Sequence, residues 1–330
     1  MRWLLTGSAG FIGSHILETL LSLRQQVTSV DNFSTGTRRN LDLVRTAVGA
    51  DSWAGHRFIE GDIADAEFCR AASADCDVVL HQAALGSVPR SIVDPVLTNA
   101  SNVTGTVNLL HCAQAAGVKR FVYASSSSVY GDDPGLPKRE QGIGNPLSPY
   151  AASKRACELY AQVAHRCYGL ETIGLRYFNV FGPRQDPSGP YAAVIPRWVH
   201  ALLAGEPVTV YGDGQTSRDF CYVANAVQAN LLAATTPHSR APGSLINIAV
   251  GGRTSLNELF ASMQELLAPQ CPSVCSLRPA YEDFRPGDVL HSQADITLAQ
   301  EILGYAATHD LMAGLREALS WYAEGPRSRV

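Results

Sequence analysis

Apolar and polar positions alternate along the first half of the chain in two rhythms. Short β-rich runs predict strands at 2–6, 27–30, 57–60, 77–80, 120–124 and 172–177. Helical patterns lie between them: an apolar stripe over 11–23, and the clearest later ones near 96–116 and 150–168. This alternation predicts an α/β fold, a parallel sheet with helices on both faces. Strands covered on both faces read as continuous apolar runs, as Asp77-Val78-Val79-Leu80 and Phe121-Val122-Tyr123-Ala124 do.

After residue 180 the rhythm loosens. Residues 181–191 carry Gly and Pro and read as a loop. Helices are expected at 192–204, 223–235, 255–267 and 310–323, with short strands at 208–211, 245–249 and 275–278. The expected organisation is a first domain over 1–180. A smaller mixed α/β lobe over 181–330 returns in part to the first. No internal repeat is visible.

Composition narrows the function. The 330 residues are 46% apolar and 17% charged, and 26 Lys and Arg against 30 Asp and Glu leave a net charge of −4. That balance argues against disorder and against a nucleic-acid partner, for lack of basic excess. No run of about 18 apolar residues predicts membrane insertion. The short apolar start has no cleavage-site pattern, so a cytoplasmic location is expected. Eight cysteines sit mostly in apolar segments, where a free thiol behaves as a small hydrophobe. Cys271 and Cys275 are the only close pair and lack histidine partners, so no metal site is expected.

Candidate chemistry begins at Thr6-Gly7-Ser8-Ala9-Gly10-Phe11-Ile12-Gly13, between the first strand and first helix. Its glycines permit a tight turn and close approach of backbone to a pyrophosphate, and the helix start offers free N–H groups. Asp31, at the end of the second strand, suits the ribose hydroxyls of an adenosine and disfavours a 2′-phosphate. NAD is therefore expected over NADP, although Arg38 and Arg39 follow nearby. Asp62 and Ile63 are placed to meet an adenine edge, and Asp62 alone also reads as a helix cap. Lysine occurs only at Lys119, Lys138 and Lys154, and the last stands four residues after Tyr150. That spacing puts phenol and ammonium on one helix face, where the cation favours the phenolate and tunes it for proton transfer. Ser125-Ser126-Ser127-Ser128 follows the fifth strand, at the sheet end where ligands of such folds bind.

These segments together resemble the extended short-chain dehydrogenase/reductase superfamily, nearly chain-wide from Thr6 to about Trp321. TGSAGFIG at 6–13, DNFSTG at 31–36, HQAA at 81–84, SSSSVYG at 125–131, YAASK at 150–154 and RYFNVFGPRQ at 176–185 carry the likeness. The chain looks like a nucleotide-sugar 4-epimerase of the UDP-galactose 4-epimerase type. NPLSPYAASK, RQDPSGPYAAVIPRW, SRDFCYV and RPGDVLHSQADI look closer still to the bacterial UDP-N-acetylglucosamine 4-epimerases. The resemblance implies a Rossmann-type doubly wound sheet, bound NAD, a UDP-sugar substrate and a homodimer paired through the helices near 96–116 and 150–168.

It also implies roles. Gly7, Gly10, Phe11 and Ile12 would hold the pyrophosphate; Asp31, Asn32, Ser34, Thr35 and Gly36 the adenosine ribose; Asp62 and Ile63 the adenine. Gln82, Ala83, Ala84, Asn102 and Ser125 would line the NAD path, with Tyr150, Lys154 and Tyr177 at the nicotinamide end. Ser126 aligns with the catalytic Ser/Thr, with Ser125 and Ser127 close enough to exchange roles with it. On the substrate side, Asn179, Arg218 and Arg285 would hold the diphosphate, Tyr211 would stack on uracil and Asp288 would take a ribose hydroxyl. Gly86, Ser87, Ser126, Ser127, Tyr150, Ala193 and Val194 complete the expected sugar and nucleotide contacts. Ser292 aligns with a gate residue that is large in epimerases confined to unacetylated sugars, so its small side chain implies room for a 2-acetamido group.

The implied reaction removes and restores a hydride at C4, with Tyr150, helped by Ser126, moving the 4-OH proton. A 4,6-dehydratase would carry an Asp-Glu pair where Ser127-Ser128 stands. A non-catalytic NAD-binding regulator would usually lack the Tyr150/Lys154 pair. A UDP-uronic acid epimerase stays open, with Arg184, Gln185 and Arg197 as the positions that bear on it.

Overall fold

The computed structural model describes residues 1–186, 192–284 and 290–323. Six strands, β1 (Arg2–Thr6), β2 (Gln26–Asp31), β3 (His56–Glu60), β4 (Val78–His81), β5 (Arg120–Ser126) and β6 (Glu171–Tyr177), join a seventh, Leu245–Ile248. Their order across the sheet is Leu245–Ile248, β6, β5, β4, β1, β2, β3, and every pairing is parallel. The winding reverses between β1 and β4, so a crevice opens at the carboxyl ends of those two strands.

Alternation along each strand feeds two cores. Leu5, Leu80, Val122 and Ile173 pack with Ile16, Leu17 and Leu20 of helix Phe11–Ser22 and Ala226, Ala229 and Ala233 of helix Val223–Thr235. Leu4, Val79, Phe121 and Tyr123 point the other way, onto Cys69, Leu109, Leu110, Ala113 and Ala161. A third core around Trp198 joins helices Val194–Leu203, Leu256–Leu267 and Leu311–Ala323. The strand at 245–248 and helix Val223–Thr235 thus return to the main sheet. Helix Pro149–Tyr168 begins with Ser148 accepting from Ala151 N–H and with Pro149 in its first turn, and it ends at Gly169 in the left-handed region.

Two expected elements differ. The single helix foreseen near 96–116 is divided into Pro95–Asn99, a wide π turn at Ala100–Thr104, and Gly105–Ala115. The wide turn carries buried Asn102, whose side chain bonds both the N–H and the C=O of Leu85 and the hydroxyl of Ser153. The strand foreseen at 275–278 is instead a 3-10 turn, Pro272–Ser276, headed by a proline. The strand falls at Ala280–Glu282, beside Thr209–Tyr211. Among the described residues no helix is long and apolar enough to cross a membrane.

Candidate active site

The crevice holds a cleft of about 300 Å³, and its floor is the glycine turn. Gly7 sits at φ 70°, and a Cβ there would lie 2.7 Å from Ala83 N. A Cβ at Gly13 would lie 2.0 Å from Gly7 O, so the helix crosses directly over the turn. Gly10 is the helix N-cap and brings no side-chain cap, which leaves the first N–H groups facing the cleft. The Asp31 carboxylate accepts from Ala9 N at 2.9 Å and Phe33 N at 2.8 Å. Burial pushes its carboxyl up, and those N–H donors pull it back. Asn32 bonds Asp62 Oδ2 at 3.0 Å and accepts from Ser34 N. Gly36 packs on Ala9 outside the cleft wall. Arg38 is paired with Glu60 at 2.6 Å and lies over the Phe33 ring. Asp62 turns on itself to accept from Ala64 N, while Asp65 caps the next helix.

Gly7, Gly10, Phe11, Ile12, Asp31, Asn32, Ser34, Thr35, Asp62, Ile63, Gln82, Ala83, Ala84, Ser125, Tyr150, Lys154 and Tyr177 all line this one cleft, with Gly86 at its edge. Leu85 and Ser101, which the sequence did not single out, line it too. The bare cradle, the acidic group at the β2 end and the paired Arg38 fit NAD. Asn102 does not line the cleft; it sits behind it, holding the Leu85 backbone.

Tyr150 and Lys154 share the inner face of helix Pro149–Tyr168. Lys154 is buried and its Nζ donates to Ala124 O at 2.9 Å, which fixes the ammonium against the end of β5. Ser125 donates its hydroxyl to Glu158. Ser126 accepts from Ser128 N at 3.2 Å and Ser128 Oγ at 2.9 Å. Ser127 opens the 3-10 turn Ser127–Tyr130.

Three buried networks support these groups, and sequence reasoning found none of them. Gln82 donates to Asn230 Oδ1 at 2.9 Å, Asn230 donates to the Tyr177 hydroxyl at 2.7 Å, and Tyr177 donates to Gln82 Oε1 at 3.1 Å. This closed ring fixes both amides. His81 Nδ1 faces Thr6 Oγ1 at 2.7 Å and its Nε2 faces Thr106 Oγ1 at 3.0 Å. Thr106 spends its own hydrogen on Asn102 O, so the partners assign the neutral Nε2–H tautomer. Burial, then the Lys154 charge, lower His81 to about 3. Arg176 and Glu158, both fully buried, pair at 2.8 and 2.9 Å, and Arg176 also reaches the Tyr130 hydroxyl and Glu140 O. Burial lowers Arg176, but the bonds and charge of Glu158 outweigh it and hold the guanidinium above its ordinary value. Glu158 follows Lys154 by four residues, a spacing that could have flagged it; nothing local marks Asn230.

A smaller cavity of about 130 Å³ lies in the second lobe. Asn179, Val194, Tyr211 and Arg218 line it, together with Arg197, Trp198 and Phe284. Asn179 sits at φ 35°. Ser87 holds φ 95°, a strained value for a side chain, while its Oγ accepts from Arg90 N at 3.3 Å. Ala193 is exposed as the N-cap of helix Val194–Leu203. Ser292 is buried, lines neither cavity, and donates its N–H to Ser217 O at 3.0 Å. Arg285 and Asp288 lie outside the described residues.

Comparison with known proteins agrees with this geometry. The profile of the NAD dependent epimerase/dehydratase family matches residues 3–249. The UDP-glucose 4-epimerase of Mycolicibacterium smegmatis is 36% identical over 325 residues, 98% of each chain. The structure of the UDP-N-acetylglucosamine 4-epimerase from Methanobrevibacter ruminantium M1, in complex with UDP-N-acetylmuramic acid, superposes with a TM-score of 0.88 at 38% identity over 97% of each chain. The UDP-glucuronic acid 4-epimerase from Bacillus cereus, in complex with UDP-glucuronic acid and NAD, gives 0.86 at 29% identity, covering 97% of this chain and 98% of that one. The chain belongs to the NAD-dependent epimerase/dehydratase family, within the extended short-chain dehydrogenases/reductases, and is an enzyme that works with NAD.

Proposed function

We propose reversible C4 epimerisation of UDP-N-acetylglucosamine to UDP-N-acetylgalactosamine as the reaction of this NAD-dependent UDP-sugar 4-epimerase, with UDP-glucose and UDP-galactose as a second pair. The glycine turn would hold the cofactor pyrophosphate, and Asp31 the adenosine ribose. When bound, NAD supplies the reversible hydride acceptor that inversion at C4 requires. Tyr150 takes the proton of the sugar 4-OH and later returns it. Lys154, anchored on Ala124 O, sets its ammonium in the same cleft as that phenol. Ser126 orients the same hydroxyl. Arg218 and Asn179, with Arg285, hold the diphosphate, and Tyr211 takes the uracil. The sugar meets mainly backbone and small groups at Gly86 and Ser87, so it can turn its other face while the diphosphate stays fixed. Ser292 is buried outside both cavities, so its small side chain would bear on the choice of an acetamido sugar only through the run in which it packs. The 38% identity to an enzyme named for UDP-N-acetylglucosamine supports that choice. Of the positions open for a uronic carboxylate, Arg184 is engaged by Glu18 and Arg197 lies in the smaller cavity.

The test is purified protein, without added NAD, incubated separately with UDP-N-acetylglucosamine, UDP-glucose and UDP-glucuronic acid. Products are resolved by NMR of the anomeric proton. UDP-N-acetylgalactosamine forming fastest is the expected result. UDP-galactose alone would keep the chemistry and remove the argument from Ser292, and turnover of the uronate alone would move the assignment to the uronic branch.

The homodimer belongs to the same reading. Ile92, Val93, Val96 and Leu97 are exposed beside Leu159, Tyr160 and Val163 of helix Pro149–Tyr168. Two copies of this face would bury each other's apolar side chains. Sedimentation of the wild type should give twice the chain mass, and Val163→Asp should shift it toward one.

A further inference from the structure

Asp219 is fully buried between Arg218 and Phe220. Its Oδ1 accepts from Val250 N at 3.1 Å, and its Oδ2 accepts from Gly251 N at 3.0 Å and Ala294 N at 3.2 Å. Its main-chain oxygen accepts from Asn179 Nδ2 at 3.2 Å. One residue therefore ties together four segments: the turn after β6, the loop of Arg218, the turn after the strand Leu245–Ile248, and the run that holds Ser292. The second and fourth of these runs are knit a second time, since Ser217 N donates to Leu290 O and Ser292 N donates to Ser217 O, each at 3.0 Å. Asn179 and Arg218 both line the smaller cavity. These bonds of Asp219 reach neither the glycine turn nor the Tyr150/Lys154 pair.

A buried carboxylate is costly unless its lone pairs are met, and here three backbone N–H groups meet them. A carboxylate accepts at both oxygens with no hydrogen of its own to place, so the acid is the residue type that suits this convergence of donors. We propose that Asp219 is a positioning residue for the nucleotide of the substrate: its carboxylate locks the loops that present Asn179 and Arg218 and sets the Ser292 run beside them. This rests on reading the smaller cavity as the nucleotide end of the substrate site.

Asp219→Asn keeps the shape but replaces one acceptor oxygen with an NH2 group, which must then face a backbone N–H. The measurement is calorimetric titration with UDP at pH 7.5 on protein that retains its NAD, beside NAD content and thermal melting. The expected result is a Kd for UDP raised by roughly tenfold or more, with NAD per chain unchanged. KM for the UDP-sugar should rise in parallel, with a much smaller change in kcat. An unchanged Kd in the variant, with UDP bound by the wild type, overturns the proposal alone. Failure of the wild type to bind UDP overturns it together with the nucleotide reading. If the variant loses its fold, amide exchange of the wild type decides. UDP should slow exchange at Val250, Gly251 and Ala294 together, and a response confined to 216–220 would overturn the proposal.

Discussion

The hydroxyl of Ser125, which lines the cleft, donates to Glu158 Oε1 at 2.7 Å, so its hydrogen is already engaged by a buried carboxylate. Both bonds of Ser126 are acceptances, so neither uses its own hydrogen, although Ser126 and Ser127 line neither cavity. The two serines should therefore separate on mutation. Ser126→Ala should lower kcat by about 10²-fold with little change in melting temperature. Ser125→Ala should lower stability by about 1–2 kcal/mol and leave kcat nearly intact. Steady-state kinetics beside thermal melts check this, and the reverse pattern would exchange their roles.

Tyr150→Phe removes the proton carrier without disturbing the cradle. The variant should retain NAD as the wild type does and lose about 10²–10⁴ in kcat. Bound NAD measured after denaturation, beside single-turnover rates, checks it. A variant with near-normal turnover would remove Tyr150 from proton transfer.

Gly13→Ala would place a Cβ 2.0 Å from Gly7 O, against backbone that has nowhere to move. Overpacking of this kind costs about 1–3 kcal/mol or more. Here it would push the helix start off the turn. Purified variant should carry much less NAD than wild type, and full occupancy would refute the account of the turn.

Acid should destabilise the fold through its buried histidines. Burial and Lys154 lower His81 to about 3, and burial and Arg184 lower His15 to about 3. The unfolded chain binds protons at these histidines near pH 6.5, and the folded chain does not. Their contribution is thus fully present above pH 6.5 and is lost as pH falls toward 3, by about 1.4 kcal/mol per pH unit for each. His81→Gln should flatten the slope of unfolding free energy against pH by one proton between pH 4 and 6. Urea titrations at several pH values measure that slope directly.

Arg176 and Glu158 are fully buried partners. Glu158→Gln alone should cost about 3–5 kcal/mol, because it takes the buried carboxylate from Arg176, and Arg176→Leu should cost less, because Glu158 keeps Arg155 at 2.9 Å. The double variant should cost less than the sum, and additive losses would show that the pair is not coupled.

The local parts of this enzyme were legible in the sequence. The turn at 6–13 is a strand, three glycines and a helix start within one stretch, and its chemistry needs nothing from elsewhere. Asp31 stands at the end of β2, and Tyr150 with Lys154 share one helix face, a placement that their positions in the sequence predicted beside the glycine turn. The parallel sheet followed from runs of apolar residues buried on both faces. What only the tertiary structure decided rests on contacts between distant segments. The seventh strand, read as part of a second lobe, pairs with β6 in the main sheet. Asn230 closes its ring with a residue 148 positions away. Asn102, expected in the cleft, was drawn behind it when a wide π turn aimed its amide at Leu85. The serine run offered three similar hydroxyls, and only Glu158, brought up by the packing of its helix on β5, set Ser125 apart from Ser126. A sequence pattern reports which face of an element is buried; which polar groups meet inside depends on how whole elements dock.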